Sequence, residues 1–161
     1  GGRRYARRAG WGSSCDASHL TKPDGAGRAR ALRAALRKAR LSPQDVGYCN
    51  AHGTATRVGD PIERDALARV WGDALADLRV SSTKALHGHL LGAAGALEAL
   101  ITVLALHRRA VPPNMHVEEP DADCALNLVR AGDTAAPGLN AAISSSFAFG
   151  GTNAALVFQR A

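Results

Sequence analysis

The sequence predicts an α/β fold, a mixed sheet layered with helices around a buried central helix. Three observations carry this expectation. Short β-forming runs alternate with helical stretches, residues 92–107 are apolar around the whole helix circumference, and glycine-bearing polar motifs fall where strands hand over to loops.

Alternating apolar and β-forming residues predict strands at 8–13, 46–51, 79–83, 126–129, 141–146 and 154–158. Between the early strands, residues 28–40 place Leu32, Ala35, Leu36 and Ala39 on one stripe with the arginines mostly elsewhere, the pattern of an amphipathic surface helix. Asp60-Pro61-Ile62-Glu63 supplies an N-cap, a first-turn proline and an acidic residue for a helix running to Trp71. In residues 92–107, Ala93, Leu97, Leu100, Ile101, Val103 and Leu104 cover every face, so this helix is expected to be buried on all sides. Gly92, Gly95, Ala96 and Ala99 would let other backbone approach it closely. Pro112-Pro113 closes the helical stretch, and the acidic, proline-bearing residues 118–123 read as a surface loop.

Composition bounds the class. The 161 residues suit one domain, 1–161, with 46% hydrophobic and 21% charged residues, which excludes a disordered or fibrous chain. Glu98 interrupts the longest apolar run and the arginine-rich start has no apolar core behind it, so neither a membrane span nor export is expected. Cys15, Cys49 and Cys124 show no metal or redox spacing and leave one thiol over if paired, which suits a reducing cytoplasm. Lys and Arg outnumber Asp and Glu by 20 to 14, so an acidic partner is plausible. With 4% aromatic residues, stacking platforms for nucleic acid are scarce, and no nucleic-acid partner is expected.

Glu98 is the one carboxylate inside the apolar helix, and an unpaired buried charge costs several kcal/mol. Lys84, in the loop leading to that helix, is the nearest cation in sequence. A Lys84–Glu98 ion pair is therefore predicted, either as a structural pin or with a direct part in chemistry. His89 follows Gly88 near the helix start, where amide donors and the helix dipole favour negative charge. His52, in Asn50-Ala51-His52-Gly53-Thr54-Ala55-Thr56, likewise follows a strand. Two histidines at strand ends in one sheet point to a shared pocket. His87 and His89 alternate but lack further ligands at a zinc spacing, so no metal is expected. Ser144-Ser145-Ser146 lacks the glycine-flanked elbow of a serine hydrolase. Phe147-Ala148-Phe149-Gly150-Gly151-Thr152-Asn153 links two strands and reads as a tight hairpin; a strand follows it, which disfavours a nucleotide loop.

Taken in order, His52-Gly53-Thr54-Ala55-Thr56 with Gly59-Asp60-Pro61-Ile62-Glu63, then Ser82-Thr83-Lys84 to Gly95, then Phe149-Gly150-Gly151-Thr152-Asn153, resemble the signatures of the elongating β-ketoacyl-acyl-carrier-protein synthases. Gly10-Trp11-Gly12-Ser13-Ser14 with Asp16, His19 and Pro23 is similar to that family too, so the resemblance covers nearly the whole chain. It implies the C-terminal half of a thiolase-like fold. The implied reaction is a decarboxylating Claisen condensation of an acyl thioester with malonyl carrier protein, in fatty acid or polyketide synthesis. By the same resemblance His52 and His89 would stabilise the enolate, with Lys84 in support. Thr54 and Thr56 would contact the pantetheine arm, the Phe149 amide would join an oxyanion hole behind its gating ring, and Glu98 and Asn153 would be structural support. Ala148 departs from the family's glycine and puts gate mobility in question.

The family carries its nucleophilic cysteine in the first half, in a small-residue turn entering a helix, and none of Cys15, Cys49 and Cys124 fits that setting. The resemblance thus implies an acyltransferase half that is inactive alone. It would need a cysteine-bearing N-terminal half, a dimeric assembly and an acyl carrier protein, with no cofactor beyond the phosphopantetheine that carries the substrates. The alternative is a non-catalytic ketosynthase-like subunit that shapes an acyl tunnel or docks a carrier protein.

Overall fold

The computed structural model describes residues 2–17, 19–21 and 23–161. Five strands form one mixed sheet in the order β1-β5-β4-β2-β3. They are β1 (Ala6–Cys15), β2 (Tyr48–Asn50), β3 (Arg79–Ser81), β4 (Ala141–Phe147) and β5 (Thr152–Arg160). The pairs β1/β5 and β5/β4 are antiparallel, while β4/β2 and β2/β3 are parallel. The helices are α1 (Gly25–Ala39), α2 (Gly59–Trp71), α3 (Lys84–His87) and α4 (Ala94–Arg108).

Strand alternation sorts the core into two layers. Cys49, Ile143, Ala155 and Val157 face a cluster with Leu32 and Leu36 of α1 and Leu67 and Trp71 of α2. Tyr48, Ala142 and Phe158 point the other way, to Ala105 and Leu106 of α4. The sheet thus lies between α1/α2 and α4, the layered arrangement the sequence predicts. α1 begins three residues before the predicted 28–40 start because Asp24 caps it, accepting from the Ala26 N–H at 2.9 Å. β1 and α1 pack backbone to backbone, since a Cβ on Gly12 would sit 2.0 Å from the Ala31 carbonyl oxygen.

Two expectations are corrected. Residues 126–129 do not form a strand but a single bridge, Val80 to Leu128. The Leu128 N–H turns back to the Leu126 carbonyl at 2.8 Å, a three-residue turn that stops the ladder from extending. The second correction is larger: α4 is not buried on all sides. Ala94, Glu98, Thr102, Ala105 and Leu106 form its one covered face, whereas Leu100 is 54% exposed. Among the described residues the sheet, with Lys84 and the Val111 and Val129 side chains, covers that face, and the outer stripe with Leu100 stays open.

The stretch Leu91–Arg108 also reaches 18 residues at a mean hydropathy of 1.3, so length and composition alone would allow a bilayer span, contrary to the sequence reading. Its inward face holds the ion-paired Glu98 and Thr102, whose hydroxyl donates to the Glu98 carbonyl at 2.7 Å. Those contacts are made to the protein core rather than to lipid.

Candidate functional site

The titratable residues singled out in the sequence gather beyond the carboxyl ends of the parallel strands, where open α/β sheets leave room for ligands. His52 lies just after β2, Lys84 opens α3 just after β3, and Phe147 ends β4. Lys84 is the first residue of a short helix rather than part of a loop. Its ammonium is paired with the Glu98 carboxylate, both side chains being buried, as the sequence predicts. The other Glu98 oxygen has no hydrogen-bond partner among the described residues.

His52 and His89 meet edge to face with ring centroids 5.5 Å apart, and the Phe147 ring stands 6.0 Å from His52. His89 is exposed, in the segment between α3 and the turn Leu91–Ala93 rather than at the N-terminus of α4. Its Nδ1 accepts the Leu91 N–H at 3.1 Å. A neutral ring so bonded carries its proton on Nε2 and can donate from there. His52 is half-buried, and its pKa is pushed down to about 3, by burial first and then by Lys84, His89 and Arg28. It is therefore a neutral imidazole at physiological pH.

Glu63, quoted in the sequence only as a first-turn acid, holds the His52 loop. It is 4% exposed, and its carboxylate accepts the His52 and Gly53 N–H groups at 2.9 Å each. The Ser145 hydroxyl donates to it from β4 at 3.0 Å. Burial pushes this carboxyl's pKa up, while the Gly53 N–H and the Arg28 charge act against that shift. Gly53 adopts φ +37, and a Cβ there would meet the Ser82 Cβ at 2.6 Å, so the loop closes tightly over β3. The signal for Glu63 was present in the sequence: it shares an i, i+3, i+4 stripe with Ala66 and Leu67, the buried face of α2.

A groove of about 1610 Å³ is lined by Thr54, Thr56, Lys84, His89, Asn114 and Glu118, among others. Thr56 Oγ1 accepts the Gly59 N–H at 3.1 Å and lies 3.3 Å from Thr54 Oγ1. Phe149 is 79% exposed at the turn Phe149–Gly151, and of the two phenylalanines it is Phe147 that reaches His52. The turn forms the predicted hairpin between β4 and β5, with Gly150 and Gly151 at positive φ. Ala148 sits at φ −112, ψ 165, an extended backbone open to any residue, and its methyl is exposed. Asn153 donates to Asp16 at 2.7 Å and to the Gly151 carbonyl at 2.9 Å, while Asp16 also accepts the Asp24 N–H at 2.9 Å. One buried amide thus ties the turn to the cap of α1.

The three cysteines differ in setting, and Cys124 lines the groove. Cys49 is buried in β2, which pushes its thiol's pKa up. Cys124 is pushed up to about 11, by burial and then by Asp123. Cys15 is exposed at the end of β1, its Sγ 3.6 Å from the Gly150 carbonyl.

The family described as "Beta-ketoacyl synthase, C-terminal domain" matches residues 5–118. The 3-oxoacyl-[acyl-carrier-protein] synthase 2 of Coxiella burnetii is 44% identical over 158 residues, covering 97% of this chain and 38% of that protein. The protein of the same name from Vibrio cholerae is 43% identical over 163 residues, covering 99% and 39%. Among solved structures, the ishigamide ketosynthase/chain length factor superimposes with a TM-score of 0.93 at 36% identity, covering 99% of this chain and 39% of that one. A type II polyketide ketosynthase solved in complex with its acyl-carrier protein gives a TM-score of 0.91 at 31% identity, covering 98% and 39%. The chain therefore spans about two fifths of the length of the curated relatives it matches.

Proposed function

We propose, from the premise that this chain belongs to the β-ketoacyl synthase family and carries its C-terminal domain, that it supplies the decarboxylation machinery of an elongating ketosynthase. The observation carrying this reading is the pair of facing imidazoles beside a buried lysine. His52 is held neutral by its surroundings, and His89 accepts the Leu91 N–H at Nδ1, so Nε2 is its nitrogen that can donate.

In this reading both rings donate hydrogen bonds to the thioester oxygen of a malonyl group. As the bond to the carboxylate breaks, carbon dioxide leaves and the electron pair moves onto the thioester as an enolate, whose oxygen takes the negative charge. Donors already in place stabilise that charge by several kcal/mol. The enolate carbon then attacks an acyl thioester on a cysteine, a carbon–carbon bond forms, and the cysteine thiolate leaves. The unreactive settings of Cys49 and Cys124 support a nucleophile supplied by a cysteine-bearing N-terminal half. The uncovered stripe of α4 with exposed Leu100, together with exposed Leu91 in the turn before it, supports a covering layer of that kind.

Thr54 and Thr56 line the groove beside His89, where hydroxyls can hold the amide-bearing arm of phosphopantetheine. The substrates then arrive on an acyl carrier protein and no further cofactor is needed. The exposed arginines of α1, including Arg33 and Arg37, would steer an acidic carrier, an attraction that weakens with salt. If the double variant R33A/R37A kept wild-type carrier affinity at low ionic strength, docking would lie elsewhere. The alternative, a non-catalytic partner subunit, draws on the pairing of a ketosynthase with a chain length factor among the structural neighbours. Retention of both histidines and the lysine favours the catalytic reading, since a scaffold has no need of them.

The deciding assay measures condensation by the chain alone and with a cysteine-bearing half. Activity in the mixture only is expected. Condensation by the chain alone overturns the half-site reading, and full activity of a reconstituted H52A/H89A assembly favours the non-catalytic one.

A further inference from the structure

Among the covered residues of α1, one is charged. Arg28 is 4% exposed and lies with Gly27, Ala29, Leu32 and Ala35 on the face that meets the sheet and α2. A cation there carries a desolvation cost that alanine would avoid. Burial accordingly lowers its pKa, with Glu63, Asp16 and Asp60 acting in the opposite sense.

Its contacts all lead toward His52. One guanidinium nitrogen donates to the Gly59 carbonyl at 2.7 Å, at the end of the loop that begins with His52. The guanidinium carbon lies 4.6 Å from the centroid of Phe147, the ring that meets His52 at 6.0 Å. No ion pair among the described residues includes Arg28, so its charge is not cancelled at contact distance.

We propose that Arg28 is a positioning residue for His52: it braces the imidazole through Phe147 and the Gly59 carbonyl. A positive charge held on that side of the ring also disfavours its protonation. The groups that face His52 are Lys84 from α3, His89 from the following segment, Arg28 from α1, and Glu63 from α2, which holds the backbone N–H groups of 52 and 53. Lys84 is ion-paired with Glu98, whereas Arg28 has no ion-pair partner among the described residues and acts on the ring after Lys84 and His89 in order of size. The gain for catalysis rests on the function proposed above, because a neutral donor ring stabilises an enolate without being acidic enough to protonate it. The effect on the imidazole does not rest on it.

The test is a ring-nitrogen NMR titration of His52 in the 161-residue chain, comparing wild type with Arg28→Gln and Arg28→Lys. Arg28→Gln removes the charge and should raise the His52 pKa by about half a unit, or about threefold in protonated fraction at a given acidic pH. Arg28→Lys keeps the charge and should leave the titration at the wild-type value while shifting amide resonances of residues 52–59. An unchanged titration in folded Arg28→Gln overturns the proposal. If that variant does not fold, Arg28→Lys decides, and an upward shift there overturns it. In an active assembly the acid limb of the pH–rate profile should move with the NMR titration. The titration reads the ring whether or not the protein condenses substrates, so its failure is distinct from failure of the proposed reaction.

Discussion

The imidazole of His52 meets that of His89 edge to face at 5.5 Å, yet the two differ in surroundings: His52 is half-buried and His89 is exposed. Their elements bring them together. β2 and β3 run parallel, so the segments leaving both strands emerge at one edge of the sheet.

The first prediction concerns acid stability. His52 has a folded pKa of about 3 against an ordinary 6.5, so its contribution is complete above 6.5 and is lost as pH falls toward 3. In that window the unfolded chain takes up a proton that the native ring refuses. Glu63 works in the opposite sense: its raised pKa gives a contribution complete below 4.5 and lost as pH rises through the folded value. A His52→Asn variant should therefore lose less urea resistance than wild type between pH 7 and pH 4.5. Equal losses would show that His52 titrates normally.

Breaking the buried ion pair should be costly. Glu98→Gln leaves the Lys84 charge buried without its carboxylate, and removal of one partner from such a pair costs about 3–5 kcal/mol. Chemical denaturation should show that loss. A drop below about 1 kcal/mol would mean that the pair is better hydrated than its burial indicates.

The two phenylalanines at the β4–β5 turn should behave differently. Phe147 is 5% exposed, and Phe147→Ala should cost about 3–5 kcal/mol. Phe149 is 79% exposed, so Phe149→Ala should change stability by no more than about 0.5 kcal/mol. In an active assembly its effect should instead be on acyl transfer, read as a fall in kcat/KM without a change in unfolding midpoint.

Gly27→Ala should loosen the turn that carries Phe149. A Cβ at residue 27 would stand 1.6 Å from an Asp16 carboxylate oxygen, the one that accepts from Asn153. Displacing Asp16 should cost about 1–3 kcal/mol and speed amide exchange at residues 150–153. Unchanged exchange there would show that Asn153 holds the turn without Asp16.

Much of this site was legible because its residues break the local pattern. A carboxylate in an apolar helix demands a cation, and the Lys84–Glu98 pair follows from that demand alone. Glu63 and Arg28 break the pattern in the same way, each on the buried stripe of its helix. Glu63 looked like a first-turn acid and Arg28 like one arginine among many, so composition masked their positions. The outer face of α4 was misjudged for a different reason. Apolarity records what a helix is suited to meet, and the sheet covers one side of it. Residues 126–129 had β-forming composition, but composition does not reveal the turn that bends Leu128 back on Leu126.

The central claim is that His52 and His89 carry out decarboxylation while the acyl group is held by a cysteine from elsewhere. The most direct measurement is carbon dioxide release from malonyl carrier protein by a reconstituted assembly whose nucleophilic cysteine has been replaced. Release should persist without that cysteine and fall by about 100-fold or more in His52→Ala or His89→Ala. Release that is unaffected by both substitutions would contradict the account.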